Sequence, residues 1–219
     1  QRLSRGLGDV YKRQVSGGVY IVTLKTDVSI DFKNNTVEIK KMNVSKIANN
    51  YVQSVRREIE FDCKPEKVWS IISKKSNLEL FHPFCQKNPA IVWTEDNHED
   101  EIHYIKGFVL KRKFVAWKKN VGYDLVIGHK KHKQSFVSWR IIDKPMKGSS
   151  LSISVYPYIF NMRLKFYDRI PFALYIRPQL STYLDSVLGG LKWHIENNKP
   201  TPKNHFGTHK WFSKEIKEL

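Results

Sequence analysis

Glu101 and His103 are the residues whose types and spacing first suggest chemistry. They stand two apart in an alternating segment, which puts both on one face of a strand. A histidine beside a carboxylate can serve as a general base, as a cyclisation or dehydration requires. An exposed strand histidine produces the same spacing. His82, Asp124 and Arg140 are the other polar candidates for a pocket, and Arg140 could hold a ligand carboxylate or phosphate. No metal site is expected. His205 and His209 are four apart, but Gly207 and the neighbouring prolines argue against a helix there. His129 and His132 sit in a lysine-rich turn, and Cys63 and Cys85 lack metal-ligand spacing. The chain has no Gly-rich phosphate loop and no nucleophile elbow, and no cofactor is expected.

Aromatic side chains make up the larger constellation. Trp93, Tyr104, Phe108, Trp117, Tyr123, Phe136, Trp139 and Tyr156 fall on segments that read as strands. Such rings fill ordinary cores, and they also line pockets for apolar ligands. The expected ligand-binding set is Trp93, Tyr104, Phe108, Trp117, Tyr123, Trp139, Arg140 and Tyr156, joined by Tyr183 and Val187 from a later helix.

The elements that must position these residues are legible from periodicity. Val52 to Asp62 alternates like a half-buried strand. Pro65 then opens a helix, where its missing N–H costs nothing, and Glu66 suits the first turn. Val68, Trp69, Ile71 and Ile72 give that helix its apolar face. A second short helix is expected over Asn77 to Phe81. Strands follow at Ala90 to Thr94, Glu101 to Lys111, Arg112 to Lys119, Tyr123 to Gly128, Ser135 to Ile142 and Ser150 to Tyr158, at antiparallel spacing, with turns marked by Gly107, by Asn120 with Gly122, and by Gly128. In the last of these the serines should face water. From Leu174 to Asn198 the apolar residues step by three and four, which predicts an amphipathic helix roughly 35 Å long. Pro178 should kink it or mark its start, and Gly189-Gly190 calls for a close contact or a bend. The tail to Trp211-Phe212 is expected against the surface.

This order resembles the START-like, or SRPBCC, superfamily, in its polyketide cyclase/dehydrase and lipid-transport branch. The resemblance rests on Glu58-Ile-Glu-Phe-Asp-Cys-Lys-Pro-Glu-Lys-Val-Trp69, on Phe136-Val-Ser-Trp-Arg-Ile141 and on Tyr183 to Ile195. It covers about Val52 to Asn198. It implies an α+β helix-grip fold: a curved antiparallel sheet wrapped around a long C-terminal helix, with two short helices after the first strand. It also implies a hydrophobic small molecule or lipid held between sheet and helix. It supplies no catalytic motif that carries over residue by residue.

Composition limits the rest. The chain has 219 residues, 41% hydrophobic and 13% aromatic, which suits one packed domain with extra chain. The domain is expected over 42–199, with a tail at 200–219. Residues 1–41 read as a flexible or non-native leader. The opening Gln1 to Gln14 resembles translated adaptor sequence, Val19 to Leu24 is strand-like, and Met42 offers a native start. Two cysteines and the lack of any long apolar run suggest a cytoplasmic protein. The net charge of +17 points to acidic partners, but it is dispersed. Lys111–Arg112–Lys113, Lys118–Lys119 and Lys130–Lys131–His132–Lys133 read as solvated strand edges and turns. The segment Tyr158–Phe172 mixes aromatic and aliphatic residues with Arg163, Lys165 and Arg169, and is expected to touch an anionic membrane transiently.

Three functions compete on this reading. Carriage of a hydrophobic small molecule or lipid leads. An aromatase/cyclase-type enzyme needs convergent polar groups such as Glu101, His103 and Tyr104. An RNA- or ribosome-associated domain needs one continuous basic face, which dispersed charge does not provide.

Overall fold

A computed structural model of the chain describes residues 10–15, 19–24, 51–129, 133–161 and 169–215. The chain divides into two units, Gln1–Asn49 and Asn50–Leu219. In the first, β1 (Val10–Val15) pairs antiparallel with β2 (Val19–Leu24). The strand at Val10–Val15 was not expected, because Gln1 to Gln14 shows no alternation. Its backbone pairing, not an apolar pattern, defines it.

The second unit begins with β3 (Val55–Phe61), which buries Val55 and Phe61 and exposes the charged residues between. Pro65 at the first position of α1 (Pro65–Ile72) sets the helix, whose Val68, Trp69, Ile71 and Ile72 are all buried. Helix α2 (Leu78–Phe81) follows and buries Leu78 and Phe81. Asn88 fixes it: Asn88 Oδ1 accepts from Leu78 N at 3.2 Å, and Nδ2 donates to Glu101 O at 2.8 Å.

The remaining strands are β4 (Cys85–Lys87), β5 (Ala90–Trp93), β6 (His98–Tyr104), β7 (Val109–Lys118), β8 (Gly122–Gly128), β9 (Ser135–Lys144) and β10 (Gly148–Tyr156). Among the described residues, β3 to β10 form one antiparallel sheet in the order β3-β10-β9-β8-β7-β6-β4, with β5 also on β6. The sheet curls into a half-barrel. The turn after β6 falls at Gly107, as the sequence marks it, with φ of 102°, and the strand bounds expected at Lys111 and Arg112 move accordingly. This turn pairs Asp100 with Arg112, so that arginine faces inward and is 3% exposed. Lys130 to His132 lie outside the described residues. On β10 Ser154 is half-buried, and the other serines are not wet. Ser149, Ser150 and Ser152 are buried, and Ser150 Oγ donates to Glu58 at 2.8 Å. The long charged side chains of the edge strand cover Ser150 and Ser152, while Ser149 faces inward and donates to Cys63 O at 2.7 Å.

The closing helix runs continuously through α3 (Arg169–Pro171), a π-helical turn (Phe172–Ile176) and α4 (Arg177–Asn197). The π turn has a cause. Pro178 has no N–H and its ring would press on the carbonyl four residues back. Arg177 N instead donates to Phe172 O, five residues back, which widens the turn. Gly190 is a close-packing position: a Cβ there would lie 2.1 Å from Phe81 O. Asn198 ends the helix in the left-handed conformation, φ 51°. The tail then returns over the domain. His209 is buried and its Nε2 bonds Gln179 O at 3.0 Å.

Candidate functional site

Between the sheet and α4 lies a cavity of about 430 Å³. Each strand from β6 to β10 contributes inward residues: Ile102 and Tyr104, Leu110 and Arg112, Leu125 and Ile127, Val137 and Trp139, Ile153 and Val155. Helix α4 supplies Leu180, Tyr183, Leu184 and Val187, one per turn or step of three to four. His129, Lys133, Tyr158 and Ile159 line it and are exposed, so they mark its mouth. Trp211 and Phe212 also line it, which corrects the expectation that the tail merely covers the surface. Phe212 sits 4.3 Å from the Tyr183 ring and 4.8 Å from Tyr104, centroid to centroid.

The interior has two halves. Around Trp69 of α1 it is solid. His98 stacks on Trp117 at 4.0 Å, Trp117 on Tyr123 at 5.3 Å, and Trp93 and Phe114 meet Trp117 edge-on. Trp93, Trp117 and Tyr123 therefore fill core and do not line the cavity. Tyr104, Phe108, Trp139, Tyr183 and Val187 do line it. Arg140 and Tyr156 lie on the opposite face of the sheet from their cavity-lining neighbours Trp139 and Val155. Arg140 Nη2 donates to Asp124 Oδ2 at 2.7 Å, and Tyr156 packs on Phe136 and Tyr51. Glu101 and His103 are 3.3 Å apart, as their spacing suggests. They too point away from the cavity, because Ile102 and Tyr104 between and beside them point in.

The polar groups at the buried end are His82, Tyr104, Tyr183 and Arg112. His82 is 2% exposed. Its Nδ1 accepts from Phe84 N at 3.1 Å and its Nε2 lies 2.8 Å from Tyr183 Oη. Tyr183 Oη lies 3.0 Å from Tyr104 Oη. Burial, with Arg112 and Lys203 adding to it, lowers the His82 pKa to about 3, so the ring is neutral. Burial pushes both tyrosines well above their ordinary range, and the Cys85 thiol beside them up to about 12. Arg112 forms a buried two-pronged pair with Asp100, Nε to Oδ1 at 2.7 Å and Nη2 to Oδ2 at 2.5 Å. Burial opposes its charge and Asp100 outweighs that, holding it protonated. Its guanidinium also lies 5.3 Å above Phe114, at the wall between solid and hollow halves.

Arg112 and Asp100 are the site residues that sequence reasoning missed. A Lys-Arg-Lys run reads as surface. The available signal was the turn at Gly107, which places the acidic run Glu99–Glu101 opposite Lys111–Lys113. Among the described residues no group of three or more His, Cys, Asp or Glu could hold a metal, and neither cysteine forms a disulfide.

No protein-family model and no curated protein matches the sequence. Solved structures do. TTHA0849 from Thermus thermophilus superposes with a TM-score of 0.53 at 11% identity, over 67% of this chain and 99% of that one. DynU16, a protein of the dynemicin biosynthetic locus, gives 0.52 at 11%, over 70% of this chain and 51% of that one. BexL, a di-domain ARO/CYC from the BE-7585A biosynthetic pathway, gives 0.51 at 16%, over 71% and 54%. The protein has the helix-grip fold of these structures, a curled antiparallel sheet closed by a long C-terminal helix. This chain spans about half the length of DynU16 and of BexL. At these identities the likeness concerns fold, and the site's own chemistry must carry function.

Proposed function

We propose that the protein binds a hydrophobic small molecule or lipid in the cavity between sheet and C-terminal helix, and acts as a carrier. The observation that carries this reading is the cavity itself, of about 430 Å³ with mostly aliphatic and aromatic walls. An aromatase/cyclase-type activity is the second reading. The folds of DynU16 and BexL and the hydroxyls at the buried end favour it. Such chemistry needs a base, and the buried end offers none at neutral pH. His82 has its free lone pair bonded to Phe84 N, the tyrosines hold their protons, and Asp100 is locked to Arg112.

Exchange of the ligand would take place at the mouth. Tyr158, Ile159, Phe160, Ile170, Leu174 and Tyr175 are exposed there or on the helix beside it, and Arg169, Arg177 and Lys210 flank them. Tyr158–Phe172 was the expected membrane segment. Phe172 is buried, and 162–168 lie outside the described residues. We place the membrane contact on the six exposed apolar residues instead, facing an anionic bilayer.

Val187→Phe tests the cavity reading, since Val187 is 2% exposed and lines the space from α4. The neutral fluorophore N-phenyl-1-naphthylamine should brighten with the native chain and lose at least tenfold in affinity with the variant, at unchanged thermal stability. Equal binding by both would refute the assignment.

A further inference from the structure

We propose that the cavity selects a neutral apolar ligand carrying one acceptor oxygen, a ketone or ester carbonyl, which sits on the hydroxyl pair of Tyr104 and Tyr183. The inference rests on the ligand-cavity reading and specifies its chemistry.

The argument is a count of protons. His82 Nδ1 accepts a backbone N–H, so the neutral ring carries its one proton on Nε2. That proton is donated to Tyr183 Oη at 2.8 Å. Tyr183 and Tyr104 are 3.0 Å apart and share a single hydrogen bond, whichever donates. Three protons thus serve two bonds, and one hydroxyl proton is left over. Among the described residues neither hydroxyl has a further hydrogen-bond partner. Tyr104 is 2% exposed, and both tyrosines line the cavity. A buried donor without an acceptor is costlier than a buried oxygen with a spare lone pair. The chain therefore calls for an acceptor from the occupant.

The neighbouring charge sets the ligand's charge. Arg112 is the cation that lines the cavity at this end, and its Nε and Nη2 go to the two oxygens of Asp100. The pair is neutral as a unit. An ionised carboxylate brought here would lose its hydration with no spare charge to offset it. A carbonyl oxygen asks only for a neutral donor, which the hydroxyl pair supplies. The aromatic surfaces of Phe108 and Phe212, stacked or tilted against Tyr104, give the flanking surface for a flat or apolar body.

The test compares 9-fluorenone with fluorene, which share a tricyclic skeleton and differ by a carbonyl in place of a methylene. Binding of each is measured by calorimetry with the native chain and with Tyr104→Phe/Tyr183→Phe. The carbonyl stretch of bound fluorenone is read by infrared difference. The double variant should weaken fluorenone about 3- to 10-fold and leave fluorene within about twofold. The carbonyl stretch should be lowered on the native chain and return toward its apolar-solvent position on the variant. Unchanged fluorene binding also reports that the variant is folded. If both ligands bind and the variant changes neither, or weakens both alike, the donor assignment is wrong while the cavity stands. If neither ligand binds the native chain, the cavity reading falls, and this inference falls with it.

Discussion

His82 shows how one residue links burial, pH and the site. Its folded pKa of about 3 lies below the ordinary value of 6.5, chiefly through burial. Between those values the unfolded chain binds a proton that the folded chain does not. Stability is therefore fully present above about pH 6.5 and is lost as pH falls toward 3. His98 and His209, also lowered by burial, act in the same direction. Chemical denaturation at pH 7 and pH 5 should show a loss on the order of 1–2 kcal/mol from His82 alone. His82→Asn should flatten that slope, and an unchanged slope would mean the ring is not held neutral. His82 was legible as a polar candidate; its partners were not. Tyr183 lies 101 positions away, and only the crossing of α4 over α2 brings the two together. The Glu101 and His103 pairing was legible, but strand spacing alone does not say which face is concave.

At the scale of elements, the helices and most strands could be read from period because each buries one face. The amphipathic stretch from Leu174 becomes the π turn and α4, and Pro178 marks the junction. Gly107 marked the β6–β7 turn, but the strand ends were misplaced because charged residues line both sides of the register and no apolar alternation bounds the strands. The two adjacent glycines of α4 illustrate what sequence alone cannot rank. A Cβ on Gly190 would strike the Phe81 carbonyl at 2.1 Å, a backbone atom with no room to move. A Cβ on Gly189 would meet the ring of Phe206 at 3.0 Å, and that ring is half exposed and free to swing. Gly190→Ala should cost about 2–4 kcal/mol by thermal or urea unfolding. Gly189→Ala should be neutral or gain up to about 1 kcal/mol from helix propensity. Equal effects would contradict the packing of α4 on α2.

At the scale of the whole molecule, the sheet's inward face is divided between a solid aromatic half and a hollow half, with the Arg112–Asp100 pair at the boundary. Parity could place Trp93, Trp117 and Trp139 on one face, but not decide which of them meets α1 and which faces the cavity. That depends on where Trp69 and the tail residues Trp211 and Phe212 insert, contacts distant in sequence. Among the described residues no helix is long and apolar enough to cross a membrane, and the proposed bilayer contact is a peripheral one. Leu174 and Ile170 are 76% and 68% exposed, the largest apolar exposures beside the mouth. Ile170→Glu/Leu174→Glu should reduce sedimentation with phosphatidylserine vesicles several-fold at low salt, with folding unaffected; identical sedimentation of variant and native chain would remove the membrane contact. The central claim is that the hollow half holds an apolar ligand, and native mass spectrometry of the purified full chain tests it most directly. A bound small-molecule mass that is released on denaturation, or is acquired when the stripped chain meets a fluorescent lipid, is the predicted result. A chain that carries no such mass and takes up no lipid would contradict it.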